Sequence, residues 1–287
     1  MKFTKLHGLG NDYVYVNCFE EDLTGVDLPE LARRVSDRHF GIGSDGLILI
    51  LPSERADFRM RVFNNDGSEA KNCGNGLRCV SKYVYDHGLT RKTTFTVETL
   101  GGIVTPEVIV GADGKVELVR IDMGEPRFER SAIPMTGIPE EHALEEIIDV
   151  DDATFSISAV SMGNPHAVLF VDELRDEVVR KYGPKIEVHE WFPERTNVEF
   201  IRVKNRNEIF FRVWERGTGE TLACGTGACA AVVAACMSGK TDRQVTVHLA
   251  GGDLFIEWRE SDNRVIMTGP ATEVFSGVYH GPIPYKS

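Results

Sequence analysis

Hydrophobic and polar positions in this chain alternate in two series of short segments, each interrupted by one helical stretch. Phe58-Arg59-Met60-Arg61-Val62-Phe63 and Ile209-Phe210-Phe211-Arg212-Val213-Trp214 carry the aromatic and β-branched bias of strands. After residue 73, the apolar residues Leu77, Val80, Tyr83 and Val84 recur at helical spacing, and Gly88 supplies a stop. After residue 224, the segment Ala228 to Met237 is apolar on every side, which predicts a helix enclosed by its own domain. Hairpin strands are predicted at Thr94 to Val97, Ile103 to Val110 and Val116 to Ile121. A second set is predicted at Gln244 to Leu249, Leu254 to Trp258 and Arg264 to Met267. Each series therefore reads as a mostly antiparallel sheet around one central helix, an α+β arrangement.

The two series are copies of one another. Gly10-Asn11-Asp12-Tyr13-Val14 recurs 153 residues on as Gly163-Asn164-Pro165-His166-Ala167-Val168. Ser44 before an apolar run matches Asn197 at the same offset. Arg61-Val62-Phe63-Asn64 matches Arg212-Val213-Trp214-Glu215 at 151, as does Gly88 with Gly239. Thr96-Val97 and Gly101-Gly102 match Thr246-Val247 and Gly251-Gly252 at 150. A period this long is a duplicated domain rather than a solenoid. The boundary is expected near residue 120, after the turn Gly111-Ala112-Asp113-Gly114-Lys115.

Composition narrows the setting. The 287 residues suffice for two domains, and 42% hydrophobic with 26% charged residues is ordinary for a soluble globular chain. A net charge of −12 argues against nucleic acid or an acidic membrane surface as partner. The densest acidic run, from Pro139 to Glu146, reads as a solvated connection with some helical potential. The first eight residues lack the apolar core of a secretion signal, and Ala228–Met237 is too short to span a bilayer, so a cytoplasmic location is expected. The cysteines at 18, 73, 79, 224, 229 and 236 are then expected as thiols, not as a disulfide framework.

Two of those cysteines stand apart. Cys73 in Asn72-Cys73-Gly74-Asn75-Gly76 and Cys224 in Ala223-Cys224-Gly225-Thr226-Gly227 each open a predicted helix. Cys18, Cys79, Cys229 and Cys236 lack such a setting and read as small buried hydrophobes. Cys73 and Cys79 are six apart and Cys224 and Cys229 five apart, unlike the tight pairs of zinc sites, so no metal is expected. Glycines beside each thiol let a ligand approach the backbone N–H groups closely. A helix N-terminus lowers a thiol pKa and also favours a carboxylate. Two thiols of this kind suit inversion of a carbon stereocentre: one takes a proton from one face while the other returns one to the opposite face. No nucleotide fingerprint or phosphate site for a pyridoxal cofactor is recognisable. The carbanion would then be stabilised by backbone donors aimed at its carboxylate, each worth about 3–4 kcal/mol in the transition state.

These motifs carry a family resemblance. Gly8-Leu9-Gly10-Asn11-Asp12, Gly41-Ile42-Gly43-Ser44-Asp45-Gly46 and Phe63-Asn64-Asn65-Asp66-Gly67-Ser68 belong to it, with Gly163-Asn164-Pro165-His166, Glu215-Arg216-Gly217 and the two cysteine loops. Together they resemble diaminopimelate epimerase along effectively the whole chain. The resemblance implies a cofactor-independent enzyme that interconverts LL- and meso-diaminopimelate in lysine and peptidoglycan-precursor synthesis. It implies two similar domains, residues 1–120 with a returning strand in 271–287 and residues 121–270, with the active site in the cleft between them. It implies Cys73 and Cys224 as the acid and base pair, and Gly74, Asn75, Gly225 and Thr226 as the cradle of the reacting carboxylate. Asn11, Asn64, Asn164, Asn197 and Arg216 would hold the distal centre, with Glu215 contributing to amino-group recognition. His166 and Glu215 would modulate thiol protonation. The family is usually dimeric, which implies a homodimer. Position 44 is Ser here, where some members carry Gln and others Ala, so Ser44 is a candidate contact only.

The residues taken by themselves support this unevenly. Asn11 and Asn164 follow glycines, where turn chemistry is an alternative. Arg216 suits a bidentate grip on a carboxylate, whereas an Arg beside a Glu is commonly a surface pair. A hydrogen-bonded loop histidine is the ordinary outcome for His166. The pair Asn64-Asn65 becomes Glu215-Arg216 in the second copy, so the copies match in their thiols and differ in charge. Two other functions fit less of the pattern: a proline or hydroxyproline racemase of the same design, and a thiol redox or metal-binding protein.

Overall fold

In the computed structural model, residues 1–71 and 73–286 are described; Asn72, which opens the first cysteine loop, and Ser287 lie outside the described residues. The chain divides into two compact units, Met1–Ile121 with Gly269–Ser287, and Asp122–Thr268. Along the first run β1 (Lys2–Gly8), β2 (Asn11–Asn17), α1 (Leu28–Ser36), β3 (Gly46–Leu51), β4 (Phe58–Asn64) and β5 (Glu69–Ala70). Next come α2 (Gly74–Asp86), β6 (Val97–Thr99), β7 (Gly102–Val104), β8 (Glu107–Val110) and β9 (Val116–Asp122). The second unit holds β10 (Glu146–Val150), β11 (Ala153–Ser161), β12 (Pro165–Phe170), α3 (Asp176–Glu187), β13 (Asn197–Asn205) and β14 (Glu208–Glu215). It continues with β15 (Gly219–Thr221), α4 (Gly225–Met237), β16 (Gln244–Leu249), β17 (Gly252–Trp258) and β18 (Val265–Pro270). The last strand, β19 (Thr272–Val278), pairs antiparallel with β1. No helix among the described residues is long and apolar enough to cross a membrane.

Each unit repeats one topology. In the first, the strands run β19-β1-β2-β3-β4-β6-β7, with β5 beside β4. In the second they run β10-β11-β12-β13-β14-β16-β17-β18, with β15 beside β14. Both sheets are mostly antiparallel, and the parallel pairs fall at matched places: β2–β3 and β4–β6 in one, β12–β13 and β14–β16 in the other.

Strand alternation sends successive side chains to opposite faces. Val14, Val16, Leu47, Leu49 and Phe63 pack on Leu31, Ala32 and Val35 of α1. Ile48, between two of them in sequence, turns the other way, towards Gly76 of α2. In the second unit Ala167, Leu169, Val198 and Phe200 pack on Val179, Tyr182 and Ile186 of α3. Glu199 turns the other way, towards Gly227 of α4. Each sheet is thus covered on both faces, and the cysteine helix lies on one of them. Helix α4 is buried from Gly227 to Ala235, as its uniformly apolar sequence requires. Both cysteine helices stop at a glycine of left-handed conformation, Gly88 at φ 76° and Gly239 at φ 68°, where a side chain would be strained.

Four local expectations are corrected. Helices α1 and α3 are additional to the central helix of each copy. Their signals are Asp27 as a cap with Pro29 in the first turn, and Val179, Tyr182 and Ile186 at helical spacing. The run Ile103–Val110 is two strands, because Pro106 has no N–H for a ladder, and Thr94 forms only an isolated bridge. The acidic segment from Pro139 forms turns without a helix, and Glu146 already belongs to β10. Lastly, Ser44 is not the counterpart of Asn197. Tyr13 registers with Gly46, and His166 with Asn197, in the matched parallel pairs, so Gly46 holds that place.

Helix α1 depends on its cap: the Asp27 carboxylate accepts from the Glu30 N–H at 3.2 Å. Replacing Asp27 with Ala is expected to destabilise the first unit by about 1 kcal/mol. The change should appear as a lower urea midpoint at unchanged slope.

Candidate active site

Cys73 is the N-cap of α2, and its Sγ accepts the Gly76 N–H at 3.2 Å. Cys224 is the N-cap of α4, and its Sγ accepts the Gly227 N–H at 3.4 Å. Sulfur thus takes the place that a serine or aspartate oxygen fills at most helix starts. The third residue must be glycine. A Cβ on Gly76 would lie 2.6 Å from Ile48 Cδ1 and 3.2 Å from Cys73 Sγ. One on Gly227 would lie 2.7 Å from Glu199 Oε1 and 3.2 Å from Cys224 Sγ. The six cysteines form no disulfide among the described residues.

Around Cys73 the first unit gathers Asn11, Tyr13 and Asn75. Asn11 Nδ2 donates to Asp45 Oδ2 at 2.8 Å, which turns Asn11 Oδ1 towards the cysteine loop. That oxygen accepts from Asn75 Nδ2 at 3.1 Å and lies 3.9 Å from Cys73 Sγ. Tyr13 Oη is also 3.9 Å from Cys73 Sγ. Negative charge on Cys73, and then burial, hold the Tyr13 phenol above its ordinary pKa, so it keeps its proton. Arg38 and Lys5 pair with Asp12, and Arg38 also with Asp45, which fixes the Asn11 loop from behind. Asn64 ends β4 and donates to Ser68 Oγ at 3.0 Å. Ser44 is buried, and its hydroxyl donates to the Gly46 carbonyl at 2.8 Å and lies in hydrogen-bond contact with the Ser36 hydroxyl at 3.1 Å. Its side chain is therefore committed within the first unit.

Around Cys224 the second unit gathers Asn164, His166, Glu215 and Thr226. Thr226 Oγ1 is 3.6 Å from Cys224 Sγ and accepts from Asn164 Nδ2 at 3.3 Å. Asn164 Oδ1 meets His166 Nε2 at 3.0 Å. His166 Nδ1 meets Glu199 Oε1 at 2.6 Å, with both side chains fully buried. Glu215 hydrogen-bonds Thr221, and burial raises its pKa against the hydrogen bonds from Thr221 and Cys224. Burial pushes the Cys224 thiol well above its ordinary value, and the charges of Glu215 and Glu199 act in the same direction. Thr226 and the Gly227 N–H pull against them. Asn197 is a backbone clip: Nδ2 donates to the Pro165 carbonyl at 2.9 Å, and Oδ1 accepts the Arg216 N–H at 2.9 Å. Arg216 is exposed, with Nη1 donating to the Glu194 carbonyl at 3.3 Å.

The profile of the diaminopimelate epimerase family matches residues 3–129 and 158–274. The chain belongs to the diaminopimelate epimerase family. It is 56% identical over 287 residues to the diaminopimelate epimerase of Pelotomaculum thermopropionicum, covering all of both chains. It is 58% identical over 280 residues to that of Geobacillus thermodenitrificans, covering 97% of this chain and 96% of the relative. In fold it resembles the crystal structure of a probable proline racemase from Agrobacterium radiobacter K84, with a TM-score of 0.68 at 16% identity. That likeness covers 96% of this chain and 92% of the racemase.

Three residues that shape these settings escaped the sequence reading: Asp45, Tyr13 and Glu199. Asp45 and Tyr13 sit within quoted motifs, but nothing in their spacing shows that one orients Asn11 and the other reaches Cys73. Glu199 carried a usable signal. It is the one charged residue in Val198-Glu199-Phe200-Ile201, and a carboxyl in a strand buried on both faces requires a partner.

The Glu215 charge raises the Cys224 pKa, so removing it must lower that pKa. In a Cys73→Ala background, Glu215→Gln should move the midpoint of Cys224 alkylation down by about one pH unit. An unmoved midpoint in iodoacetamide rate measurements would show that the thiol does not feel this carboxylate.

Proposed function

We propose that this chain interconverts LL- and meso-diaminopimelate, with Cys73 and Cys224 as a two-base pair and without pyridoxal phosphate or another cofactor. The observation that carries the reading is the doubled thiol-capped helix start, set in a chain of the diaminopimelate epimerase family. One cysteine, as thiolate, breaks the α-C–H bond on one face. The other, as thiol, delivers its proton to the opposite face, and the reverse direction exchanges the roles. Charge developing on the α-carboxylate is received by backbone N–H groups at Gly74 and Asn75 and at Gly225 and Thr226, where helix dipoles favour an anion.

The remaining site residues divide the work of recognition. Asn11, Asn64, Asn164 and Asn197 bind or orient the distal end of the substrate. Arg216, exposed at the end of β14, takes the distal carboxylate by a bidentate grip. Glu215 receives the amino group and, with His166, adjusts thiol protonation. The enzyme acts in the cytoplasm as a homodimer. In support of the dimer, β19 is an edge strand with Val274, Phe275 and Val278 exposed.

Incubation with LL-diaminopimelate in D2O should place deuterium at the inverted α-carbon, while L-proline gains none. Incorporation into proline and not into diaminopimelate would overturn the assignment. Cys73→Ala and Cys224→Ala should each lower epimerisation by about 10²–10⁴-fold. Wild-type turnover by either variant would exclude the two-base pair. Arg216→Ala should raise KM for diaminopimelate by about tenfold, with a smaller change in kcat. An unchanged KM would remove Arg216 from distal recognition.

A further inference from the structure

The matched asparagines beside the two thiols point in opposite senses. In the first unit Asp45, an acceptor, takes Nδ2 of Asn11 and leaves its oxygen facing Cys73. In the second unit His166 takes Oδ1 of Asn164 and leaves its N–H for Thr226, beside Cys224. An amide oxygen only accepts, so His166 Nε2 must carry a hydrogen in this arrangement. What keeps it there lies at the far side of the ring, on Glu199.

Glu199 sits where the first unit has Ile48, two residues past the matched pair Gly46 and Asn197 in the strand register. His166 likewise occupies the place of Tyr13. The buried acid–histidine pair is therefore particular to the Cys224 side. The Glu199 Oε1 contacts His166 Nδ1, whereas Oε2 is buried with no hydrogen-bond partner among the described residues. A carboxylate so placed is costly unless its charge is cancelled. One proton held between Glu199 and Nδ1 cancels it, whichever atom carries that proton.

We propose that Glu199 is a positioning residue for the epimerase reaction: sharing one proton with His166, it fixes Nε2 as a donor and so turns Asn164 and Thr226 to donate towards Cys224. The order of donation is Nε2–H to Asn164 Oδ1, Nδ2–H to Thr226 Oγ1, and the Thr226 hydroxyl to Sγ. With the Gly227 N–H, the forming thiolate then meets two donors. The pair stays net neutral, so the shared proton offsets the Glu199 charge that would otherwise add to the repulsion from Glu215. The ionisable groups that act on this thiol are Glu215 on β14 and Glu199 on β13, the latter paired with His166 on β12, and burial of Glu199 raises its pKa in the sense that favours proton retention.

This inference rests on the epimerase reading, and its test separates the two. The first measurement is the ¹⁵N spectrum of His166 in the wild-type protein, which should show Nε2 protonated around neutral pH. A bare Nε2, with hydrogen on Nδ1 alone, overturns the proposal whatever the substrate proves to be. The second measurement is the kinetics of Glu199→Ile, the residue of the first unit, against Glu199→Gln, whose amide can donate to Nδ1. Glu199→Ile should lower kcat by roughly 10–100-fold with KM held within about threefold, and Glu199→Gln should recover most of that loss. A Glu199→Ile enzyme with wild-type kcat, or a Gln variant no better than the Ile variant, would overturn it. If Glu199→Ile does not fold, the wild-type spectrum decides alone. Failure of the wild-type enzyme to exchange deuterium into diaminopimelate defeats the epimerase reading and leaves the His166 spectrum standing.

Discussion

The contact on which each half of this protein depends is a backbone N–H donating to a cysteine sulfur at the start of a helix. It requires that the third helical residue lack a side chain and that a strand pass directly behind it. At Gly76 and Gly227 a single added carbon would strike that strand's side chain, Ile48 in one unit and Glu199 in the other. The helix cannot be withdrawn to make room. Helix α4 is buried from Gly227 to Ala235, and α2 is packed on β1, β2 and β4. Thiol, glycine, helix and central strand are therefore one mechanical unit, repeated.

What duplication made alike, local substitution made different. The same position of the central strand carries an isoleucine in one copy and a buried glutamate in the other, and the same position of its neighbouring strand a tyrosine and a histidine. The first setting presents a phenol and an amide oxygen to its thiol. The second presents a hydroxyl, with carboxylates at Glu215 and Glu199. Under the proposed two-base reaction the two thiols would benefit from such inequality, since the acid must keep a proton that the base must lack. The supporting residues serve orientation as much as contact. Asn197 spends both ends of its amide on backbone groups, holding the Arg216 N–H and the Pro165 carbonyl.

Much of this was legible in the chain. The thiols at their helix starts and the paired glycines that end those helices follow from short-range chemistry, and so does the duplication itself. The strand register was not legible. Counting from the Asn11 and Asn164 loops aligned Ser44 with Asn197, whereas the parallel pairing aligns Gly46. Two residues are lost between the copies across α1 and α3, helices whose signals are a cap and a modest apolar spacing. Ser44 is turned inward to Gly46 and Ser36, an outcome set by packing across the sheet.

By itself, then, the sequence determined the doubled fold, the family and the two sulfurs that cap matched helices, because capping, helix termination and strand alternation act over a few residues. Only the tertiary structure decided the surroundings of each sulfur. Asp45 reaches Asn11 from 34 residues away, and Glu199 reaches His166 from 33. Such contacts depend on which strands lie side by side and on the face to which each side chain turns. A one-residue change of register would send Glu199 to the other face of its sheet and leave His166 without its partner.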